Sequence, residues 1–238
     1  MTERIRLFPL NTVLFPGATL HLHVFEPRYK QMIAECLDEG QAFGVCLIRE
    51  GSEAGDPDVD PHEIGTTAEI SEVMPLPFGR YYVSTVGKRR FRINGIVSRE
   101  PYLVCEVDYL DDAAPPEESA FEILIERLRA AFDEYKNLLI AYSGNNVAVD
   151  LPVDPVEASY AVGGALQVAD LVKQRLLETA DTEQRVRIEL EFLRRLLPQL
   201  RSRIERERVR PTPQRSEPLG GEARSQQERY YGKFFSLN

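Results

Sequence analysis

The chain has 238 residues, 43% of them hydrophobic and 28% charged, with a formal net charge of −9. That length suffices for one large domain or two small ones with a buried core. The acidic balance argues against a protein whose main task is gripping nucleic acid, because phosphate binding rests on Lys and Arg.

The first part reads as strand-rich. Residues 5–10 form a short apolar strand, and Thr12-Val13-Leu14-Phe15 leads into the turn dipeptide Pro16-Gly17. Residues 19–25 alternate, with Leu20, Leu22 and Val24 on one face and His21, His23 and Phe25 on the other. The period then changes. Pro27 suits a first helical position, and Tyr29, Met32, Ile33, Cys36 and Leu37 recur as on an amphipathic helix that Gly40 would stop. Residues 42–48 read as a buried strand. Residues 51–65 are acidic and rich in breakers, but lack the EF-hand ligand order and its closing Glu, which predicts a solvated loop rather than a calcium site. Strands are predicted at 66–74, 80–86, 88–96 and 102–110, separated by Pro75 to Gly79, by Gly87 and by Arg99-Glu100-Pro101. Short strands at this spacing suggest a small barrel or sandwich.

Ala113-Ala114-Pro115-Pro116 marks a boundary, after which the period is helical. Phe121, Leu124, Ile125, Leu128, Phe132 and Tyr135 line one face of a helix starting near Glu117, which Ser143-Gly144-Asn145-Asn146 breaks. Pro155 opens a shorter helix through Tyr160 that Gly163-Gly164 weakens, and residues 171–179 are helical again. Asp181-Thr182-Glu183-Gln184 resembles a capping box. It opens a last helix that buries Val186, Leu190, Leu193, Leu197, Leu200 and Ile204 and that Pro198 should kink. Beyond about Glu207, Pro211, Pro213, Pro218 and Gly220-Gly221 predict a linker. Residues 206–238 carry net +3, against −7 for residues 1–112 and −5 for residues 113–205. The aromatic end, Arg229 to Leu237, is a candidate for docking. The expectation is an α+β chain: a mostly antiparallel β domain over 1–112 with one helix near 27–38, a helical domain over 117–205, and a flexible basic tail over 206–238.

Few reactive constellations are present. The sequence has no GxxxxGK[ST] phosphate loop, no GxGxxG after a strand, no GxSxG elbow and no HExxH pair. Cys36, Cys46 and Cys105 form no CxxC and read as free thiols of a reducing compartment. Met1-Thr2-Glu3-Arg4-Ile5-Arg6 lacks the apolar run of a signal peptide, and no stretch approaches a membrane span, so a cytoplasmic location is expected. His21 and His23 share a strand face at a spacing that can hold a metal. With no third ligand nearby, they read instead as partly buried, hydrogen-bonded imidazoles beside a strand edge. Neither metal nor cofactor is expected. In Lys88-Arg89-Arg90-Phe91-Arg92, Arg90 and Arg92 share one face and Phe91 and Ile93 the other, the pattern of a half-buried strand with a charged outer face. The alternative is a nucleic-acid patch of Lys88, Arg89, Arg90 and Arg92. The Arg-rich stretch from Arg194 to Arg210 is interspersed with Glu205 and Glu207 and reads as a solvated helix face.

Leu7-Phe8-Pro9-Leu10-Asn11-Thr12-Val13-Leu14-Phe15-Pro16-Gly17 resembles the opening of the Lon protease N-terminal domain family, and His23-Val24-Phe25-Glu26-Pro27-Arg28-Tyr29 is similar to its most distinctive motif. Phe43-Gly44-Val45, Gly65-Thr66-Thr67-Ala68, Gly79-Arg80, Gly87 to Ile93, Pro101-Tyr102 and Lys173-Gln174-Arg175-Leu176-Leu177-Glu178 follow in the family's order, so the resemblance covers roughly residues 4–200. It implies a PUA-like β-barrel domain followed by a helical bundle, and a part in selecting unfolded or tagged polypeptides. The ATPase and Ser-Lys peptidase of full-length Lon have no counterpart in these residues. His21 stands where the family commonly has proline, and Pro77-Phe78 replaces a more usual acidic hairpin tip.

The expectation is therefore a non-enzymatic polypeptide-binding module, an adaptor in protein quality control. Its partners would be unfolded or tagged polypeptides or a protease, with neither membrane nor nucleic acid. Phe15, Phe25, Tyr29, Met74, Phe78 and Tyr81 are the candidate contact residues, because turns and strand ends carry them outward. The alternative is a PUA-like RNA-binding protein. Arg28, at a helix start where a cation is disfavoured, predicts a nearby carboxylate.

Overall fold

The computed structural model describes residues 3–53, 55–56, 58–114, 119–143 and 150–209. Residues Met1–Ile204 form one compact unit and Glu205–Asn238 a second, of which only the end of the last helix is described. The predicted boundary at Pro115-Pro116, the break after Ser143, and the tail with its aromatic end fall wholly or largely outside the described residues.

The strands are β1 (Glu3–Leu10), β2 (Thr19–Val24), β3 (Phe43–Glu50), β4 (Asp60–Pro61), β5 (Ile64–Leu76), β6 (Arg80–Ser98) and β7 (Leu103–Leu110). They form a mostly antiparallel sheet in the order β1-β7-β6-β5-β3-β4, with β2 also on β6. The path returns to its start, because β3 pairs in parallel with β1 at Leu7↔Gly44. A Cβ on Gly44 would stand 2.5–2.8 Å from Leu7, Phe91 and Ile5 side chains, so that contact requires glycine.

Helix α1 (Pro27–Glu39) buries Tyr29, Met32, Ile33 and Cys36, as its period predicts, whereas Leu37, the fifth residue of that series, is 49% exposed. Arg6 of β1 holds it by Glu35 at 3.2 Å and Glu39 at 2.7 Å. Phe91 is fully buried, as its alternation with Arg90 and Arg92 requires.

Two sequence expectations need correction here. The supposed loop at 51–65 contains β4 and the start of β5. The strands expected at 80–86 and 88–96 are one 19-residue strand, β6. Gly87 does not break it. A Cβ there would lie 2.2 Å from the Phe15 carbonyl oxygen, and the backbones of Gly17, Ala18 and Gly87 exchange hydrogen bonds of 2.8 and 2.9 Å. What changes at Gly87 is the neighbour: β2 pairs with Tyr81 to Val86 and β7 with Arg90 to Ser98.

The helical part comprises α2 (Ser119–Ser143), α3 (Pro155–Ala165), α4 (Asp170–Glu178) and α5 (Thr182–Val209) among the described residues. Asp181 accepts from the Gln184 N–H at 2.9 Å, the cap that the sequence predicts, and Asp154, a cap not singled out from the sequence, accepts from the Glu157 N–H at the start of α3. Helix α3 runs through Gly163-Gly164 to Ala165. Phe121, Leu128, Phe132, Tyr135, Val186 and Leu193 share one apolar cluster, and Phe15 and Ile64 from the strand region belong to it.

A buried polar network joins the two layers. Arg90, expected on a charged outer face, is 1% exposed, because the helices cover that side of β6. It donates to the Leu177 carbonyl at 2.8 Å and to Asp112 Oδ1 at 2.9 Å. The same oxygen accepts from Tyr160 and, at 3.3 Å, from Arg185. Arg185 donates further to the Thr179 carbonyl at 2.6 Å and to Ser159 Oγ at 2.8 Å. Ser159 Oγ donates in turn to the buried Glu189 carboxyl. Burial pushes the Glu189 pKa well above the ordinary value, against the opposing pull of Ser159 and Arg185.

Candidate polypeptide-binding surface

Strand β3 reaches only Thr66, Thr67 and Ala68 of β5, so the rest of β5 pairs with β6 alone. With β2 on the other side of β6, this makes a three-stranded arm: residues 19–24, 80–86 and 69–76. A 3-10 turn, Pro77–Gly79, closes its end. Pleat parity sorts the side chains, since directly paired residues point to the same face. Leu22 and Val83 point inward and are buried. The outer face carries His23, Tyr82 and Met74 in one row and His21, Ser84 and Glu72 in the next. Phe25 continues the outward series and is 52% exposed, and Met74 is 50% exposed.

Phe78 sits at the tip, 92% exposed. Its φ is 65°, in the left-handed region that a bulky side chain rarely occupies. Arg80 steadies the turn by donating to the Pro77 carbonyl at 3.0 Å, and its guanidinium lies 5.7 Å from the Phe78 ring centroid.

Of the six apolar candidates, Phe25, Met74 and Phe78 come together at the arm. Tyr81 does not face outward: it pairs with the inward Val24 and is half-buried against the strand core. Phe15 is 1% exposed, packed beneath α3 with its ring 6.2 Å from that of Tyr160. Tyr29 is also buried, stacked on Phe8 at 3.9 Å, and burial raises its hydroxyl pKa to about 12. Tyr82 and His23 were not among the candidates. Their parity, opposite to the buried Val83 and Val24, is the signal that finds them.

A model of the ATP-dependent protease La (LON) substrate-binding domain matches residues 4–195. The chain belongs to this family. Lon protease of Flavobacterium johnsoniae is 31% identical over 158 residues, which are 66% of this chain and 18% of that protein. Lon protease 2 of Myxococcus xanthus is 28% identical over 200 residues, 79% of this chain and 23% of that protein. The chain thus spans about a fifth of the length of these curated relatives. A Lon N-terminal domain protein from Xanthomonas campestris is 28% identical with a TM-score of 0.55, covering 78% of this chain and 95% of that one. The N-terminal domain of a Mycobacterium avium complex Lon protease shares the fold, with a TM-score of 0.58 at 17% identity over 80% of this chain and 98% of that one. The match is to the substrate-binding domain, with neither ATPase nor peptidase domain in it.

In this Lon substrate-binding domain the basic run does not assemble one cationic surface. Arg90 is spent on the buried network, Lys88 lies 3.6 Å from Glu69, and Arg89 lies 3.6 Å from Asp111 and over the Tyr109 ring at 4.4 Å. Arg92 is exposed. Arg28 meets the carboxylate that its position predicts: it donates to Glu26 Oε2 at 2.9 Å and stands 4.6 Å over Tyr29. Glu26 also accepts from the Gly55 N–H at 3.4 Å, so the motif ties the 51–56 loop to the start of α1. His21 and His23 are exposed rather than partly buried, since the outer arm face is uncovered. His21 Nδ1 lies 3.1 Å from Ser84 Oγ and the ring stacks on Tyr82 at 5.6 Å. No group of three or more metal-ligating side chains occurs among the described residues, and no described helix is long and apolar enough to cross a membrane.

Proposed function

We propose that this chain is a non-enzymatic polypeptide-binding module, serving as an adaptor in protein quality control in the cytoplasm. The observation that carries this reading is Phe78, a large aromatic held in solvent at the end of an arm that also exposes Phe25 and Met74. Exposed apolar patches of this kind mark interaction surfaces, and aromatic anchors contribute most to them. Membership of a family described by substrate binding supports the same reading. The returning path of strand pairings supports a PUA-like barrel over residues 1–112, and the shared apolar cluster supports a helical bundle over 117–205. The basic tail, residues 206–238, completes the proposed division. The partners would be unfolded or tagged polypeptides, or a protease that receives them.

The test is binding of a denatured, reduced model protein, followed by fluorescence anisotropy. Phe78→Ser combined with Met74→Ser should weaken it at least about tenfold, with the unfolding midpoint kept and little dependence on salt. Unaltered affinity in the double variant would remove the arm from the reading. Steep salt dependence would make the client contact electrostatic rather than apolar and remove the exposed aromatic from its place in the reading.

A further inference from the structure

At the base of the arm, away from its tip, a groove of about 920 Å³ runs between residues 12–20, which lead into β2, and α3. Its floor is shallow because α3 presents Ala161, Gly164 and Ala165 there over the buried Phe15, and the half-buried Thr12, Val13 and Pro16 line the facing side. Of its charged lining, Lys88 is paired with Glu69 at 3.6 Å, and the remaining groups divide by end. Asp150 and Glu157 stand at the N-terminal end of α3, and Lys173 at the C-terminal end, donating to the Gly164 carbonyl at 3.2 Å. An ammonium has three donors, and this bond uses one. Among the described residues no carboxylate lies within ion-pair distance of Lys173. Burial pushes its pKa below the ordinary lysine value against the opposing pull of Asp170, so the ammonium is desolvated with only a partial counter-charge.

We infer that this groove binds an extended peptide segment that places an acidic side chain on Lys173 and a basic side chain against Glu157 and Asp150. The spacing follows from geometry. Glu157 and Gly164 are seven helical residues apart, about 10 Å, and an extended chain in the polyproline II conformation covers that distance in about three residues, which is also the spacing that returns side chains to one face. The acid and base of the ligand are therefore about three residues apart, with small apolar residues between them to lie on Ala161 and Gly164. This inference rests on the polypeptide-binding reading, but it uses the base of the arm, at Thr19, Leu20 and Val86, and not the exposed face and tip that carry Phe25, Met74 and Phe78.

The test uses the full chain and fluorescein-labelled, end-capped octapeptides of Ala, Val and Leu that carry Asp and Arg three residues apart. The wild type should bind this peptide. Replacing Asp by Asn in the peptide, or Lys173→Gln in the protein, should each weaken binding about tenfold, and the two together should cost little more than either, as for a single broken contact. Gln keeps a donor for the Gly164 carbonyl, so Lys173→Gln should keep the unfolding midpoint. Ala161→Trp, which fills the floor, should block the peptide and leave binding of the denatured client intact. Phe78→Ser should do the reverse. Full peptide affinity in folded Lys173→Gln overturns the inference. So does peptide binding that Phe78→Ser abolishes, which would seat the peptide on the arm and leave the module reading standing. A wild type that binds the client but no peptide sinks the groove alone, and one that binds neither sinks both.

Discussion

The Arg185 guanidinium lies 3.9 Å from the Tyr160 ring centroid, and both side chains donate to one oxygen of Asp112, which Arg90 also uses. Removing the carboxylate leaves two buried guanidiniums without their counter-charge. Asp112→Ala should therefore cost about 3–5 kcal/mol in urea unfolding. Tyr160→Phe keeps the ring under Arg185 and removes one hydrogen bond, for about 1 kcal/mol. Equal effects of the two variants would show that the network is not organised on Asp112.

Phe15 and Phe91 are both buried, in different clusters. Phe15→Ala and Phe91→Ala should each lower the unfolding free energy by about 3–5 kcal/mol. An unchanged midpoint for Phe15→Ala would return that ring to the list of surface contacts.

Phe78→Gly offers an opposite sign. Glycine occupies φ 65° at no steric cost, whereas an L side chain pays roughly 1–2 kcal/mol there. The variant should be as stable as the wild type or more so, by up to about 1 kcal/mol, while client affinity falls. A loss of stability would mean that the exposed ring supports the fold.

Much of this was legible from periodicity. The alternation in 19–25 puts His21, His23 and Phe25 on one face, though it does not tell that the two imidazoles are exposed, and the spacing from Tyr29 to Cys36 predicts the buried face of α1 but extends it one residue too far, to Leu37. Parity, however, states only that Arg90 and Phe91 lie on opposite sides. It does not say which sides later elements cover, and here both are covered, one by β1 and β3 residues and the other by α4. Phe15 escaped for the same reason. Its partners, Tyr160 and Gly163, lie about 150 residues away, and a turn signal at Pro16-Gly17 carries no information about them.

The buried Arg90 also changes what charge reversal should do. Lys88→Glu, Arg89→Glu and Arg92→Glu together should leave the unfolding midpoint within about 0.5 kcal/mol of wild type, whereas Arg90→Glu should lower it by more than about 3 kcal/mol. RNA affinity at physiological salt should be weak in the wild type, measured by filter binding. Submicromolar affinity with a log–log salt slope near −0.7 per phosphate, lost in the triple variant, would favour the RNA reading.

Glu189 sets a pH signature. Its pKa is raised by burial, so the folded state holds this proton more tightly than the unfolded state does. That contribution is complete below the ordinary Glu pKa and is lost as pH rises through the folded value. Glu189→Gln fixes the neutral form. The melting temperature of the variant should therefore gain on the wild type as pH climbs from about 4.5. A constant difference across pH would show that Glu189 is ionised throughout.

The three thiols are free and buried, Cys36 on α1, Cys46 on β3 and Cys105 on β7, with burial raising the pKa of each, to about 11 for Cys36 and Cys105. Alkylation of these cysteines must wait for an opening event, because neither access nor thiolate is available in the closed form. The chain therefore carries its own stopwatches. The labelling rate at Cys36 times departures of α1 from the sheet, and the rates at Cys46 and Cys105 time the parting of β1 from its two neighbours.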